Sequence, residues 1–148
     1  MKPLLLLTIL LLSTPPVLAN EFLYMICKND TNVKVTDLTS GKITDDQDGE
    51  EFLLIKVDLT NKKLRNHIVP EWVDVTVEGD QIIQDTSITV GNQTAQTYTS
   101  FPLNLPGPIS IQYQRREPSQ LIVAKAEGEC RDIDSSTWDE GVNQFGTK

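Results

Sequence analysis

The sequence predicts an all-β, single-domain protein, either an antiparallel sandwich or an up-and-down, barrel-like sheet, with one disulfide. Val, Ile and Thr make up about a quarter of residues 20–148 (34 of 129), and β-branched residues suit a pleated surface. Short segments of alternating polarity recur about every 8 to 12 residues, with Gly, Asn and Asp turn signals between them. No convincing amphipathic helical pattern interrupts them.

The first 19 residues have the pattern of a secretory signal peptide. Lys2 supplies a positive start, residues 4–12 (LLLLTILLL) form the apolar run, and residues 13–16 break it. The small or modest residues that follow predict cleavage after Ala19. The alternative is a buried N-terminal helix or a short anchor, but nine residues are too few to cross about 30 Å of hydrocarbon. We expect an exported protein, periplasmic or secreted, with no transmembrane segment in the mature chain.

Net charge, length and cysteine content limit the kinds of protein that this sequence can encode. Without residues 1–19 the chain carries 12 basic and 21 acidic side chains, a net charge of −9, which excludes a basic nucleic-acid binder. About 129 residues make one domain. Exported proteins with an even cysteine count usually pair them, so we expect a Cys27–Cys130 disulfide; two unpaired buried thiols are the alternative.

The first half of the mature chain contains three strand candidates. Residues 22–28 (FLYMICK) are compact and apolar, and residues 33–37 (VKVTD) alternate before a turn at residues 39–41 (TSG). Residues 52–59 (FLLIKVDL) form the longest candidate, and residues 61–63 (NKK) predict its hairpin turn.

The middle of the chain alternates most clearly. Residues 72–78 (WVDVTVE) place three valines on one face of a predicted strand. A turn at Gly79-Asp80 connects this strand to the next candidate, residues 81–85. Residues 87–90 and 94–100 flank Gly91-Asn92, which is a hairpin signal.

The last strands form one more predicted hairpin. Residues 101–108 (FPLNLPGP) contain three prolines, which remove ladder donors, so we expect an ordered connection rather than a central strand. Residues 109–115 and 121–126 predict the hairpin, with its turn at residues 116–119. Ile109, Ile111 and Tyr113 are expected to face the core.

The chain is thus expected to divide into a signal peptide (1–19), a β domain (20–130) and a C-terminal tail (131–148). The tail has few apolar residues, so we expect it to be poorly ordered.

No constellation of residues predicts catalysis, a cofactor or a metal site. The acidic segment 45–51 (DDQDGEE) offers the oxygen ligands that Ca²⁺ prefers, but its spacing does not match an EF-hand. We interpret it as a solvated hairpin tip, with weak calcium binding as the alternative. His67, the sole histidine, is expected to be structural or at the surface, because no nucleophile motif accompanies it.

Four residues are candidates for binding a partner. Trp138 lies in the tail, and Arg115 and Arg116 end a strand candidate; the basic pair is also explained as a hairpin end that limits aggregation. Pro106 lies in the proline-rich connection, which is a candidate rigid loop.

Two sequons, at Asn29 and Asn92, match the N-glycosylation pattern. They matter only in a eukaryotic source.

Scattered motifs resemble a group of small exported proteins. They comprise LYMICK around Cys27, I-x-V-D-L-x-N-K-K from residue 55 to 63, and G-x-C followed by I-D from residue 128 to 134. The combination is similar to exported proteins of unassigned function in marine cyanobacteria and some proteobacteria. The resemblance implies a bacterial envelope location and carries over no functional residues.

The leading hypothesis is therefore an exported, non-catalytic β domain that binds an unknown ligand or acts as an envelope accessory protein. One alternative is a small acidic inhibitor of an exported lysozyme or protease, since a charge of −9 steers basic targets. Another is a ligand-carrying β-barrel, which about eight strands of similar length would favour. An enzyme is the least favoured hypothesis.

Overall fold

The structure is a computed structural model that describes residues 22–147, which form nine β-strands and one α-helix. The elements are β1 (Phe22–Asp37), β2 (Ile43–Asp58), β3 (Lys63–Asn66), β4 (Val73–Asp74), β5 (Thr76–Glu78), β6 (Gln81–Val90), β7 (Gln93–Pro102), β8 (Gly107–Arg116), β9 (Gln120–Asp132) and α1 (Ser135–Phe145). The strands form one antiparallel sheet of order β4-β3-β2-β1-β9-β8-β7-β6-β5. The predicted antiparallel β fold is confirmed, and the predicted signal peptide lies outside the described residues.

The sheet is nearly closed because its two terminal strands are consecutive in the chain. β4 and β5 stand at opposite ends of the strand order, yet only Val75 separates them. β4 pairs with β3, whereas β5 pairs with β6. The Val75 N–H extends the first pairing by donating to the Lys62 carbonyl at 3.0 Å. Residues 73–78 therefore bridge β3 and β6, which gives the up-and-down, barrel-like architecture rather than two packed sheets.

The inner face of the sheet, defined as the face that bears Met25 and Ile55, holds the hydrophobic core. Side chains alternate between this inner face and the opposite, outer face. Cys27 stands directly opposite Cys130, and the predicted disulfide joins them across β1 and β9. The core cluster consists of Met25, Cys27, Leu53, Ile55, Val57, Leu64, Val75, Ile82, Phe101, Ile109 and Cys130.

Helix α1 covers part of the outer face. Trp138 is buried, and a Cβ added at Gly141 would clash with the Leu54 side chain, so the helix approaches β2 closely. Phe145 packs edge-on against Phe52, with 5.2 Å between ring centroids. Since Leu53 and Ile55 face the inner core, this stretch of β2 is buried on both of its faces.

The structure corrects the expectation of a poorly ordered tail from residue 131. β9 continues to Asp132, and Asp134 caps α1 by accepting the Thr137 N–H at 2.7 Å. Trp138, Val142 and Phe145 recur at i, i+4 and i+7, the spacing of one helical face.

Two further expectations about the elements were wrong. The acidic segment 45–51 is not a hairpin tip but part of β2, paired with residues 29–35 of β1. The turn between β1 and β2 lies at residues 38–42, which confirms the turn predicted at residues 39–41, and Gly41 there has a φ of 70°. Pro102 is the last residue of β7, and Pro108 is the second residue of β8, so only residues 103–106 form a connection.

The sheet divides into a closed part and an open part. The closed part consists of β3, β4 and β5 with the flanking ends of the long strands, namely residues 22–29, 52–58, 81–83, 99–102, 107–110 and 127–132. The open part consists of residues 30–37, 43–51, 84–90, 93–98, 111–116 and 120–126. Pairing of β2 with β3 begins at Ile55, and pairing of β6 with β5 ends at Ile83. Within the described chain, residues 43–51 and 84–90 are therefore the two edges of the open part.

Candidate functional site

The four residues nominated for partner binding do not come together. Trp138 is 2% exposed, so it is not an exposed anchor. Arg115 and Arg116 end β8, and Arg115 forms an ion pair with Glu117. Pro106 is exposed and directly precedes the first residue of β8. The length of the strand places it about 30 Å from the two arginines.

Trp138 belongs instead to a run of aromatic and cationic side chains on the outer face of the closed part. The Arg65 guanidinium lies between Trp138 and Trp72, 5.6 and 5.4 Å from their ring centroids. The ring centroids of Tyr24 and Trp138 are 6.3 Å apart, and Lys56 Nζ lies 5.2 Å from the ring centroid of Tyr24. Each cation–π contact contributes about 0.5–2 kcal/mol. This cluster holds α1 on the sheet and is structural.

His67 is buried beside the same helix. Its Nδ1 accepts the Leu54 N–H at 3.1 Å, and its ring stacks on Phe52 with 5.2 Å between centroids. Burial lowers the pKa of His67, against a smaller opposing attraction from Glu51. These contacts give His67 a structural role.

The acidic segment 45–51 is divided between two faces because it is a strand. Asp46 and Asp48 lie on the outer face, where both accept hydrogen bonds from Asn32 Nδ2, at 2.9 and 2.8 Å. Asp45 points to the opposite face. Within residues 22–147, no group of three or more His, Cys, Asp or Glu side chains is arranged to hold a metal ion.

The two sequons differ in accessibility. Asn29 is 3% exposed on the inner face, directly opposite Gly128, so a glycan has no access to it in the folded chain. Asn92 is exposed in the β6–β7 turn.

A polar groove of about 460 Å³ lies on the outer face of β6–β9 in the open part. Strand register brings its side chains into two rows that run across the four strands. The first row is Asp85, Tyr98, Gln112 and Lys125, and the second is Ser87, Gln96, Gln114 and Val123. Sequence reasoning missed this groove because its residues come from four separated segments.

The groove is rich in hydrogen-bonding groups and balanced in charge. Its three Gln side chains each offer an amide donor and an amide acceptor, and the Ser87 and Tyr98 hydroxyls offer both. Asp85 and Lys125, which carry opposite charges, stand at the two ends of the first row, on β6 and β9. Tyr98 is 43% exposed, so its ring is available for contact.

A second groove, of about 500 Å³, lies along β1 and β2. Three of its six lining residues are acidic (Asp30, Glu50 and Glu51), with Lys28 and Phe52 beside them. Asp30 and Glu50 stand directly opposite each other, so the groove presents like charges rather than a mixed donor and acceptor set. We therefore regard the β6–β9 groove as the candidate site.

Comparison with known proteins places no constraint on the ligand. No protein-family model matches the chain, and neither the curated proteins nor the solved structures provide a match. The resemblance to exported bacterial proteins therefore stays a hypothesis. No helix within residues 22–147 combines the length and the apolar character needed to cross a membrane.

Proposed function

We propose that the protein is an exported, non-catalytic binding domain whose β6–β9 groove recognises a neutral, hydroxyl-rich ligand of the oligosaccharide class. The observation that carries this proposal is the double row of hydrogen-bonding side chains on one sheet face. Export itself is proposed from the signal-peptide pattern, and the Cys27–Cys130 disulfide is compatible with it.

The side chains of the groove suit a sugar ring. A pyranose presents an apolar C–H face together with a rim of hydroxyl groups that both donate and accept. The exposed Tyr98 ring offers a flat surface for the C–H face, and its hydroxyl remains free for a polar contact. Gln96, Gln112 and Gln114 provide paired donors and acceptors for vicinal hydroxyls.

Charge separates this ligand class from others. An anionic ligand would require several basic side chains, and Lys125 is the basic residue among those that line the groove. A strongly apolar ligand would require an apolar pocket, whereas seven of the eleven lining residues are Asp, Ser, Thr, Gln or Lys. A neutral polar ligand meets both conditions.

The alternative hypotheses are less well supported by the geometry. A carrier needs space inside the sheet, but the inner face of the closed part is filled by the core cluster. An inhibitor needs an exposed, preorganised loop, but Leu103 and Leu105 of the proline-rich connection pack against that core. We therefore favour recognition on the outer face.

The proposal is tested by screening the folded protein against an oligosaccharide array and measuring each hit by titration calorimetry. Tyr98→Ala and Gln112→Ala should each weaken binding about tenfold, the effect of losing one or two good polar contacts. The matched control is Gln93→Ala, because Gln93 is exposed on the same strand as Tyr98 but faces the opposite side. It should change the affinity by less than about twofold.

The proposal is wrong if no sugar binds more tightly than about 1 mM. It is equally wrong if a sugar binds and Tyr98→Ala leaves its affinity unchanged, because the ligand then occupies another surface.

A further inference from the structure

The two edges of the open part differ sharply in charge. On β2, five of the seven residues from 45 to 51 are acidic. On β6, residues 84–90 (QDTSITV) contain a single charged side chain, Asp85. An unpaired strand edge is a template for another strand, and charged side chains are a common means of blocking it. The β2 edge is blocked in this way, and the β6 edge is not.

The β6 edge also exposes apolar side chains. Ile88 is 56% exposed and Val90 is 72% exposed, and both lie on the inner face. β-Branched residues dominate this stretch, which favours an extended conformation. The edge therefore carries a single charge and is extended and partly apolar, which are the properties of a strand that pairs with another chain.

We propose that β6 pairs antiparallel with β6 of a second copy of this chain, joining two sheets through residues 84–90. Full overlap of this free stretch centres the two-fold axis on Ser87. Thr86 then faces Ile88 of the second copy, and Asp85 faces its Thr89, so no like charges stand opposite each other.

Antiparallel pairing of the β2 edge with the β2 edge of a second copy would be unfavourable. Overlap of residues 45–51 centred on Asp48 would place Asp46 opposite Glu50 of the second copy, and Asp45 opposite its Glu51. Directly opposed like charges destabilise a strand pair. The absence of opposed like charges thus favours β6 over β2 for self-pairing.

The proposed interface has two-fold symmetry, so it joins two copies and no more. Pairing of identical strands is isologous and yields a dimer, whereas pairing of β6 with β2 of another copy would be heterologous and could propagate into a filament. In the dimer the outer faces of both copies lie on the same side, so their β6–β9 grooves become neighbours. The proposal goes beyond the proposed sugar recognition and does not depend on it.

The test is sedimentation equilibrium on protein expressed from the full 148-residue sequence. The wild-type protein should be dimeric at micromolar concentration, and Ile88→Lys should weaken dimerisation at least about tenfold, because two lysines then flank the two-fold axis. The matched control is Ile43→Lys, since Ile43 is 58% exposed and lies on the β2 edge. It should change the dimer dissociation constant by less than about twofold.

Hydrogen exchange of the wild-type protein at several concentrations provides a second test of the dimer. Hydrogen exchange of the amides from residue 84 to 90 should slow as the wild-type concentration rises, while exchange from residue 43 to 51 stays constant. A monomer at all concentrations, or equal effects of the two lysine substitutions, would overturn the proposal. Concentration-dependent protection at the β2 edge alone would overturn it as well. The Ile88 side chain faces away from the groove, so a failure of this test leaves the sugar-binding test intact.

Discussion

The closed and open parts of this protein belong to one sheet, yet they differ in almost every physical respect. In the closed part the inner face packs around the disulfide, and α1 covers part of the outer face. In the open part residues 43–51 of β2 are exposed on both faces. Strand pairing is continuous between them, because β1 and β2 are paired from Phe22 almost to the turn.

The difference teaches that strand formation and core formation are separate matters here. Both parts satisfy backbone hydrogen bonds through the same ladders. Most of the burial lies in the closed part, because β3, β4 and β5 complete the sheet there and α1 adds a second layer. At about 25 cal/mol per Å² of buried apolar surface, burial provides most of the stabilisation. The open part presents a largely polar surface, which is where we propose that recognition takes place.

Removal of the disulfide should produce the largest loss of stability. The Cys27→Ala/Cys130→Ala double variant leaves no lone thiol, and the chain-entropy model gives about 4.7 kcal/mol for a loop of about 100 residues. Urea denaturation of wild-type and variant protein measures the difference. A loss below about 1 kcal/mol would mean that the closed part is held by packing alone.

The sharpest direct comparison uses one residue type on one face of the sheet. Ile55 and Ile88 both lie on the inner face, but Ile55 is fully buried in the closed part and Ile88 is 56% exposed in the open part. Ile55→Ala should cost about 2–5 kcal/mol, and Ile88→Ala less than about 0.5 kcal/mol. Denaturation at low protein concentration, below any dimerisation, measures both. Equal costs would show that the open part has a core of its own.

The smallest expected effect is a pH dependence that arises in the closed part. Because burial lowers the pKa of His67 in the folded chain, the unfolded chain binds this proton more readily. The stability contributed by neutral His67 is therefore complete above the unfolded pKa of about 6.5 and is lost as pH falls towards the lower folded pKa. Protonation of Nδ1 would also cost the hydrogen bond from Leu54.

The unfolding free energy should consequently fall as the pH decreases below about 6.5, by no more than about 1.4 kcal/mol per pH unit. His67→Gln removes the titrating group and should flatten the slope in this range. His67 is the sole histidine of the sequence. Among residues 22–147, the carboxylates with shifted pKa values are Asp37, Asp58 and Asp134, and all three pKa values are lowered, so these groups titrate well below pH 6.5. An unchanged slope in the variant would assign the pH dependence to other groups.

Local features of the sequence were sufficient to predict most of the strands. Alternation at residues 73, 75 and 77 identified the segment that bridges the sheet, although a break at Val75 was not foreseen. The turn signals at Gly79 and Gly91 were correct because both glycines adopt a positive φ of 61°, which other residues rarely tolerate. With two cysteines in the sequence, a single pairing within the chain was available, and it is confirmed.

Predictions failed where a residue's neighbours come from elsewhere in the chain. The acidic composition of residues 45–51 indicated a loop, but pairing with β1 makes them a strand. The tail looked too polar to fold, yet three apolar residues at helical spacing suffice once β2 offers Leu54 and Phe52 as a surface. The candidate groove was not foreseen at all, since register aligns Asp85, Tyr98, Gln112 and Lys125 across four strands.

The sequence by itself determined the antiparallel strands, their turns and the disulfide partner, because alternation, backbone preference and cysteine number are local or countable properties. Only the tertiary structure decided that the sheet closes through residues 73–78, that the tail becomes a helix over β2, and which polar residues share a face. Those outcomes depend on strand register and on contacts between segments far apart in the chain, and a shift in register by one residue would move every side chain to the other face.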